Sequence, residues 1–353
     1  MNPCGNLTDR FIFCYFYTMI EYDVNLKPFN TFGIEAFAKR FAAFNSLDEL
    51  RSLLTDRGDT PLLILGGGSN VLFTKNFQGL VLRNEIKGFE IIEEDDSTAI
   101  VKVGAGEVWH EFVMECVNRE LGGIENLSLI PGSVGASPMQ NIGAYGVEIR
   151  DVFVTLEALH IESGELHSFD KIACEFGYRE SVFKRKFRDQ YIITSVTFRL
   201  TKKHLINASY GAIGMELEAH GISNPTIKDI SNAVIAIRSS KLPDPAKIGN
   251  AGSFFKNPVI EVNVLELIQI SYTSVPNYPA PDGKVKLAAG WLIEQAGWKG
   301  KTLGSYGVHK HQALVLVNYS DCSGSDILNL STEIIADVEA KFGITLEREV
   351  NIV

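Results

Sequence analysis

The chain has 353 residues, of which 45% are hydrophobic and 22% charged, a balance typical of a soluble globular protein of roughly two to three domains. The net charge of −10 argues against a nucleic-acid-binding surface, although local basic clusters still permit a small polyanionic substrate. Five cysteines without a C-x-x-C pair indicate neither a zinc site nor a disulfide framework, and they suit the cytoplasm. The histidines lack metal-ligand spacing, so no metal is expected.

Residues 1–18 differ from the rest of the sequence. Residues 11–20 form an apolar run of ten residues, which is too short to span a bilayer, so no membrane association is expected. No small-residue cleavage site follows this run, and an ordinary start begins at Met19. We therefore expect residues 1–18 to be a disordered extension or the product of an upstream start codon.

Residues 19–84 are predicted to contain a helix that begins at the capping box of Ser46 and continues to about Arg57. Four strands are predicted, over residues 37–44, 61–65, 71–73 and 79–82. A glycine loop, G-G-G-S-N at residues 66–70, follows the second of them. Successive amide N–H groups in such a loop can bind a pyrophosphate, and the alternative is a tight turn. The spacing differs from the G-x-G-x-x-G of the two-helix dinucleotide fold.

Residues 85–204 are predicted to be rich in strands, with one helix. The helix extends from Trp109 to Arg119 and should end at Gly122 and Gly123. Residues 129–146 hold too many glycines, serines and prolines for regular structure, and too many apolar residues for a solvated loop. We interpret them as a buried irregular segment that lines a cofactor. The predicted strands cover residues 99–103, 152–161 and 191–200.

Residues 205–344 form a third region that contains three predicted helices. The last helix carries an apolar stripe that ends before Gly343, a typical stop signal. The helices cover residues 232–240, 288–296 and 325–342, and a final strand is predicted over residues 346–353.

The segment 249–258, G-N-A-G-S-F-F-K-N-P, carries the most specific signal of the chain. Two glycines and an alanine leave little bulk in front of Ser253, so its hydroxyl can approach a ligand closely. Lys256 and Asn257 add a cation and an amide, and Pro258 stops regular structure. The alternative interpretation is a glycine-rich turn that leads into a buried strand.

Arg179 lies between Tyr178 and Glu180 in G-Y-R-E-S. A guanidinium in this setting can bind a substrate carboxylate through two parallel hydrogen bonds. The basic run that follows, at residues 184–188, is interpreted as a solvated face.

Two further pairs of charges are candidates for a site. Arg238 and Lys241 are three residues apart at a predicted helix end, where they can pair with phosphates or simply be solvated. Glu347 and Glu349 alternate on the final strand and therefore share one face. One of them can act as a general acid or base, and two exposed charges are the alternative.

The segment G-W-K-G-K-T at residues 297–302 is similar to the end of a P-loop. The required first glycine is replaced by Gln295, and an apolar helix rather than a strand precedes it. The sequence therefore argues against an ATP-dependent ligase.

Taken together, these motifs resemble one family, the UDP-N-acetylenolpyruvoylglucosamine reductases. The resemblance extends from about residue 25 to residue 353. It is carried in order by I-L-G-G-G-S-N-V-L from residue 64, I-P-G-S-V-G-A-S-P-M-Q-N-I-G-A-Y-G from 130, G-Y-R-E-S from 177, G-N-A-G-S-F-F-K-N-P from 249 and L-E-R-E-V from 346. The S-Y-G at residues 209–211 is similar to the tyrosine-bearing loop of the family's type I form.

The resemblance implies an α+β fold, that of a three-part flavoprotein with the vanillyl-alcohol-oxidase or PCMH-type FAD-binding fold. Residues 19–84 and 85–204 would hold FAD, and residues 205–344 would form an α+β substrate-binding domain. The terminal strand, residues 345–353, would return to the second part and bring Glu349 to the site. A monomer is expected.

The implied reaction has two halves. NADPH reduces a non-covalently bound FAD, and the enolpyruvyl sugar nucleotide, the expected small-molecule partner, then receives hydride at the β-carbon of its double bond. By position in the motifs, Ser253 would donate a proton to the α-carbon, and Lys256 could assist it. Arg179 and Glu349 would engage the substrate carboxylate and stabilise the enol.

The resemblance also implies binding residues. The uridine diphosphate and sugar would contact Tyr210, Arg238, Lys241, Lys256, Asn257 and Gln312. FAD would contact both glycine-rich segments and one tyrosine, that is, Leu65, Gly66, Gly67, Gly68, Ser69, Asn70, Pro131, Gly132, Ser133, Gly135, Ala136, Gln140, Asn141, Gly143, Ala144 and Tyr178.

Two alternatives stay open. An FAD-dependent sugar or alcohol oxidase of the same fold often carries flavin linked to His or Cys, and neither residue occurs in segments 66–70 and 130–146. A non-catalytic nucleotide-sugar binder without flavin is the second alternative. The joint presence of Arg179, Ser253 and Glu349 argues against it.

Overall fold

The computed structural model describes residues 19–353, so the predicted extension at residues 1–18 lies outside the described part of the chain. The first part of the fold comprises β1 (Glu21–Asn25), β2 (Phe37–Phe44), α1 (Leu47–Arg57), β3 (Leu62–Leu65), β4 (Val71–Leu72) and β5 (Phe77–Asn84). Its sheet has the order β1-β2-β5-β3, in which β2, β5 and β3 are parallel. Since parallel strands end at one edge, the glycine loop after β3 lies at that edge.

The predicted start of α1 is confirmed. The Ser46 hydroxyl accepts a hydrogen bond from the Glu49 N–H at 3.2 Å. The Glu49 carboxylate accepts from the N–H of Asn45 at 2.8 Å, one residue before the cap.

The second part comprises β6 (Phe89–Glu94), β7 (Thr98–Gly104), α2 (Trp109–Asn118), β8 (Gly143–Ala144), β9 (Val147–Glu148), β10 (Phe153–His160), β11 (Leu166–Asp170) and β12 (Tyr191–Thr201). An antiparallel sheet with the order β11-β10-β12-β7-β6 is its frame. Helix α2 packs on this sheet through Trp109 and Phe112, whose rings contact Phe198 of β12.

The end of α2 differs from the prediction. The left-handed residue that terminates the helix is Glu120, with φ 57°, rather than Gly122. The Leu121 N–H donates to the Cys116 carbonyl at 2.9 Å and closes the helix two residues before the predicted glycines.

The segment 129–146 is irregular, as predicted, and most of its residues are buried or half-buried. It consists of two short 3₁₀ turns, Val134–Ala136 and Pro138–Gln140, followed by β8. Leu129, Asn141 and Tyr145 within it have positive φ angles of 58°, 44° and 50°. Backbone strain of this kind is typical of functional segments.

The third part comprises α3 (Gly211–Ala219), α4 (Ile227–Lys241), β13 (Val259–Ile260), α5 (Val262–Ser271), β14 (Asn277–Pro279), β15 (Val285–Leu287), α6 (Ala289–Gln295), β16 (Thr302–Leu303), β17 (Tyr306–Val308), β18 (Leu316–Asn318) and α7 (Gly324–Phe342). Its small sheets have the orders β13-β15-β14 and β16-β17-β18. Helix α4 begins five residues before the predicted start, because Thr226 and Asp229 form a capping box there. Helix α7 ends at Gly343 in the left-handed conformation, as predicted.

The chain ends in β19 (Asn351–Ile352), which is shorter than the predicted strand. β19 pairs in parallel with β4 of the first part, so the prediction that the terminal strand returns to the second part is wrong. The physical reason is that residues 347–349 first bond to the backbone of residues 254–256, which directs the chain from the third part to β4.

One hydrophobic core joins the first and third parts. Phe32 and Phe73 of the first part are buried in it with Phe254 and Phe255 of the third. The second part has its own core beneath α2. Among residues 19–353, no helix is long and apolar enough to cross a bilayer, and no cluster of three or more His, Cys, Asp or Glu forms a metal site.

Gly324, the first residue of α7, tests how tightly the first and third parts are joined. A Cβ atom there would lie 1.8 Å from the Phe73 carbonyl oxygen. We expect Gly324→Ala to lower the free energy of unfolding by roughly 1–3 kcal/mol, measured by urea denaturation. The matched control is Gly211→Ala, at the first residue of α3, where no atom lies within 4 Å. Equal stabilities of the two variants would contradict the close packing.

Candidate active site

A cleft of about 660 Å³ lies where the three parts meet. The glycine loop and segment 130–143 form its walls, and residues 251–253 and Glu349 also line it. The cleft therefore brings together the glycine loops, the serine segment and the final carboxylate, which are far apart in sequence.

The two glycine-rich segments contact each other so closely that side chains are excluded. A Cβ on Gly67 would lie 3.0 Å from the Gly132 Cα, and one on Gly66 would lie 2.5 Å from the Ser133 hydroxyl. Gly68 has φ 61°, and a Cβ there would lie 2.0 Å from the Phe29 carbonyl. The glycines of the loop are therefore required by packing and by backbone conformation.

The amide N–H groups of residues 66–70 are free to bind a ligand. Within residues 19–353, none of them donates a hydrogen bond to a protein acceptor. Consecutive unpaired N–H groups beside a cleft are an anion-binding nest, and they fit the pyrophosphate of FAD.

Most residues predicted to contact FAD line this cleft, and three lie outside the lining, namely Asn141, Ala144 and Tyr178. Asn141 is fully buried. Its Nδ2 donates to the Glu148 carboxylate at 2.8 Å and to the Gly177 carbonyl at 3.0 Å, so its amide serves the protein. That Asn141 contacts the cofactor stays a prediction. Burial raises the pKa of Tyr178, and Lys286 lies 4.5 Å from the centre of its ring.

Arg179 and Glu349 form an ion pair at the cleft, with 3.3 Å between Nε and Oε1. The Nη2 atom of the same guanidinium donates to the Gly143 carbonyl at 2.6 Å. Gln140 donates its amide to the same carboxylate oxygen at 3.1 Å. Burial raises the pKa of the Glu349 carboxyl, and this effect outweighs the opposing charges of Arg179 and Lys184. Glu349 is therefore suited to hold a proton.

The backbone of Glu349 is held by two other parts of the fold. Its N–H donates to the Phe254 carbonyl at 2.8 Å, and the Asn70 side chain donates to its carbonyl at 3.4 Å. The serine segment and the glycine loop therefore determine where the carboxylate lies.

Ser253 presents an exposed hydroxyl to the cleft. Its backbone pairs with Val315, and the neighbouring Phe254 is fully buried and anchors the segment. Gly252 beside it has φ 69°, so the turn requires glycine. Among the described residues, no side-chain or backbone group forms a hydrogen bond with the Ser253 hydroxyl, which leaves it available to a ligand.

The two predicted amide ligands use their oxygens within the protein. Asn257 Oδ1 accepts from the Ala289 N–H at 2.9 Å and so caps α6. Gln312 Oε1 accepts from the Leu314 N–H at 3.2 Å. Their NH₂ groups are the parts that can donate to a substrate. The ammonium of Lys256 is bound to the carboxylate of Glu347.

The two candidate cations of α4, Arg238 and Lys241, have different surroundings in the structure. Arg238 lines the cleft, and its Nε donates to the Leu129 carbonyl at 3.2 Å. Burial lowers the pKa of Arg238, and Tyr145 opposes the shift. Tyr210 packs on Tyr145, with 5.1 Å between the ring centres. Lys241 is exposed at the last residue of α4 and lies outside the cleft lining, and its contact with the substrate stays a prediction.

Lys184 is the residue that the sequence analysis missed. Within the run interpreted as a solvated face, Arg185, Lys186 and Arg188 are exposed, whereas Lys184 is half-buried and lines the cleft. Its ammonium donates to the Arg179 carbonyl at 3.5 Å. The apolar Phe183 directly before Lys184, which is buried in the structure, was the sequence signal that could have indicated the burial of Lys184.

Fold and site together define a flavoprotein with an FAD-binding domain and a separate C-terminal domain. Residues 38–170 match the family described as FAD binding domain, and residues 244–353 match the UDP-N-acetylenolpyruvoylglucosamine reductase C-terminal domain. The UDP-N-acetylenolpyruvoylglucosamine reductase of Flavobacterium johnsoniae is 52% identical over 335 residues, 95% of this chain and 99% of the relative. That of Pseudomonas syringae pv. syringae is 51% identical over 94% of this chain and 98% of the relative.

The chain belongs to the UDP-N-acetylenolpyruvoylglucosamine reductase family. The crystal structure of the Thermus caldophilus UDP-N-acetylenolpyruvylglucosamine reductase superimposes with a TM-score of 0.67 over 95% of this chain and 98% of that one, at 23% identity. That similarity supports the fold, and the sequence relatives establish the family.

The raised pKa of Glu349 makes folding stability depend on pH. The folded protein retains a proton that the unfolded chain releases above the ordinary pKa of 4.5, so this contribution is complete below pH 4.5 and declines as pH rises through the folded pKa. Glu349→Gln removes the titration, so its stability relative to the native protein should increase from pH 4.5 to pH 8. Urea unfolding at a series of pH values measures this. Glu347→Gln, on an exposed carboxylate two residues away, is the control, and parallel pH profiles of native protein and Glu349→Gln would refute the prediction.

Proposed function

We propose that this protein reduces the enolpyruvyl group of UDP-N-acetylglucosamine enolpyruvate to give UDP-N-acetylmuramate, with FAD as cofactor and NADPH as reductant. This reaction belongs to peptidoglycan precursor synthesis. The observation that carries the proposal is the meeting of Ser253, Arg179 and Glu349 at one cleft, in a chain of this family. Among the described residues that line the cleft there is no Cys or His, which disfavours the covalent linkage common in oxidases.

The glycine loop and segment 130–143 are the proposed FAD site. When bound, FAD accepts hydride from NADPH and supplies it to the β-carbon of the enolpyruvyl double bond. The free N–H groups of residues 66–70 would bind the pyrophosphate. Gly67 and Gly132 are in close contact and have no side chains, so the backbone of both segments could approach the cofactor.

Arg179 and Glu349 are proposed to hold the substrate carboxylate and to stabilise the enol. The guanidinium can pair with a carboxylate because it is already oriented by the Gly143 carbonyl. Glu349 can donate a hydrogen bond when protonated, which its burial favours. Donors placed in advance at the site of developing charge lower the barrier most.

Ser253 is the proposed proton donor to the α-carbon. Hydride at the β-carbon and a proton at the α-carbon together saturate the double bond. The hydroxyl is exposed to the cleft, so it can recover its proton from water. Lys256, the proposed assistant of Ser253, is bound to Glu347.

Arg238 of the cleft is proposed to bind the sugar nucleotide together with Asn257, Gln312 and Tyr210, which lie outside the cleft lining. Arg238 would pair with the diphosphate, and the amide NH₂ groups of Asn257 and Gln312 would donate to the diphosphate or sugar. Tyr210 would cover the uridine side. The buried thiols Cys116, Cys174 and Cys322 are free, in keeping with the cytoplasm.

Ser253→Ala tests the role of the hydroxyl. NADPH should bleach the 450 nm flavin absorbance at nearly the native rate, because hydride reaches FAD without Ser253. Anaerobic reoxidation by the enolpyruvyl sugar nucleotide should slow roughly 10²–10⁴-fold, the usual contribution of a general acid. Stopped-flow absorbance measures both steps, and Ser320→Ala, on an exposed serine, is the control. A collapse of flavin reduction in Ser253→Ala would be incompatible with the assignment.

Gly67→Ala tests the FAD site. Its Cβ would lie 3.0 Å from the Gly132 Cα and push the two loops apart. We expect FAD affinity to fall roughly tenfold, a loss of about 1.4 kcal/mol, when the apoprotein is titrated with FAD and flavin fluorescence is followed. Gly214→Ala in α3, whose Cβ would make only an ordinary contact at 3.9 Å, is the control. Unchanged affinity in Gly67→Ala would argue that FAD binds elsewhere.

A further inference from the structure

Lys184 is a cation at the cleft that lacks a carboxylate partner. Within residues 19–353, no carboxylate oxygen lies at ion-pair distance from its Nζ, and its one bond is to the Arg179 carbonyl at 3.5 Å. The side chain is half-buried, and burial followed by the charge of Lys256 lowers its pKa. An ammonium in this setting is costly unless an anion joins it.

Three carboxylates lie close enough for their charges to act on Lys184, and each of them pairs with another cation. Glu349 pairs with Arg179 at 3.3 Å, and Glu180 lies 3.9 Å from Arg185. Glu347 is bound to Lys256. Arg185 also pairs with Glu175 at 3.1 Å. Among the described residues, Arg179, Arg185 and Lys256 thus each have a carboxylate at ion-pair distance, whereas Lys184 has none.

The backbone of Lys184 is held in place by neighbouring residues. It ends the 3₁₀ turn Val182–Lys184, which starts at the fully buried Ser181. The Ser181 hydroxyl donates to the Met139 carbonyl at 2.6 Å and so attaches the turn to a wall of the cleft. Because the backbone of the turn is held in advance, its conformational entropy is not lost when an anion binds.

We propose that Lys184 is a substrate-binding residue whose ammonium pairs with the carboxylate of the enolpyruvyl group beside Arg179. This inference rests on the proposed function and adds a residue to the same site. An ammonium without a carboxylate partner can accept the one carboxylate of the enolpyruvyl group. The pyrophosphate of FAD already has the free N–H groups of residues 66–70, whereas Lys184 adjoins Arg179, which the proposal places on the substrate carboxylate.

The test uses Lys184→Met, which keeps the length of the side chain and removes its charge. Anaerobic stopped-flow absorbance of the FAD-loaded enzyme gives the rate of reduction by NADPH and the dissociation constant of the sugar nucleotide during reoxidation. The same measurement with the methyl ester of the substrate carboxyl group shows whether the effect depends on its charge. Lys186→Met is the matched control, since Lys186 is exposed two residues away on the same run. Lys184→Arg is the conservative variant.

In Lys184→Met we expect native FAD content and a rate of reduction by NADPH within about twofold of native. The dissociation constant of the acid should rise about 10- to 100-fold, as for loss of a charged hydrogen bond, and the preference for acid over ester should shrink by a similar factor. Lys184→Arg should retain most of the affinity. An unchanged constant, or an equal loss for acid and ester, would overturn the inference.

Two other outcomes also decide the question. If Lys184→Met and Lys184→Gln both lose FAD or slow the NADPH step, the ammonium serves the cofactor and the proposal fails. If the native enzyme itself is not reoxidised by the sugar nucleotide, the proposed function fails, and the Lys184 inference is rejected together with it. The native control thus separates the two failures.

Discussion

The position of the site depends on how the last residues of the chain are held. Glu349 donates its N–H to Phe254 of the third part, and its carboxylate receives Arg179 and Gln140 of the second. Two residues later the backbone bonds to Asn70 at the glycine loop of the first part. A single short segment therefore aligns all three parts, and any shift of one part relative to another changes the geometry around this carboxylate. Catalytic groups need such alignment because small displacements cost large factors in rate.

The same arrangement sets the electrostatics. A carboxyl that is removed from water and surrounded by cations experiences two opposing effects, and for Glu349 burial outweighs the neighbouring charges. The contact with Arg179 consequently adds little stability, and it orients the Glu349 carboxyl, which can donate a hydrogen bond when protonated. The ammonium of Lys184 and the free N–H groups of residues 66–70 suit an anionic ligand, although the whole chain carries a charge of −10.

The local requirements of the site were predictable from sequence, whereas the long-range ones were not. The glycine loop and the turn before Ser253 need glycine for backbone reasons that short motifs express directly. The pairing of β19 with β4 and the burial of Lys184 depend on contacts between residues more than 40 positions apart, which no local pattern contains. The residues alone indicated that Arg179 can bind a carboxylate and left Glu349 between a general acid or base and an exposed charge, and the family resemblance supplied the role of Glu349. Whether the predicted FAD and substrate residues touch their ligands stays a prediction.

Asn141 shows that a residue of a motif can support a site through the backbone that it holds in place. Arg179 has φ 54° and Tyr145 has φ 50°, conformations that cost of order 1–3 kcal/mol each for residues other than glycine. Buried amides hold both turns: Asn141 donates to the Gly177 carbonyl two residues before Arg179, and Asn126 donates to the Tyr145 carbonyl at 3.2 Å. Because these amides stabilise the strained backbone, the guanidinium and the tyrosine ring are in place before substrate arrives. The energy that orients the reacting groups is thus supplied by folding, and substrate binding energy is left for the transition state.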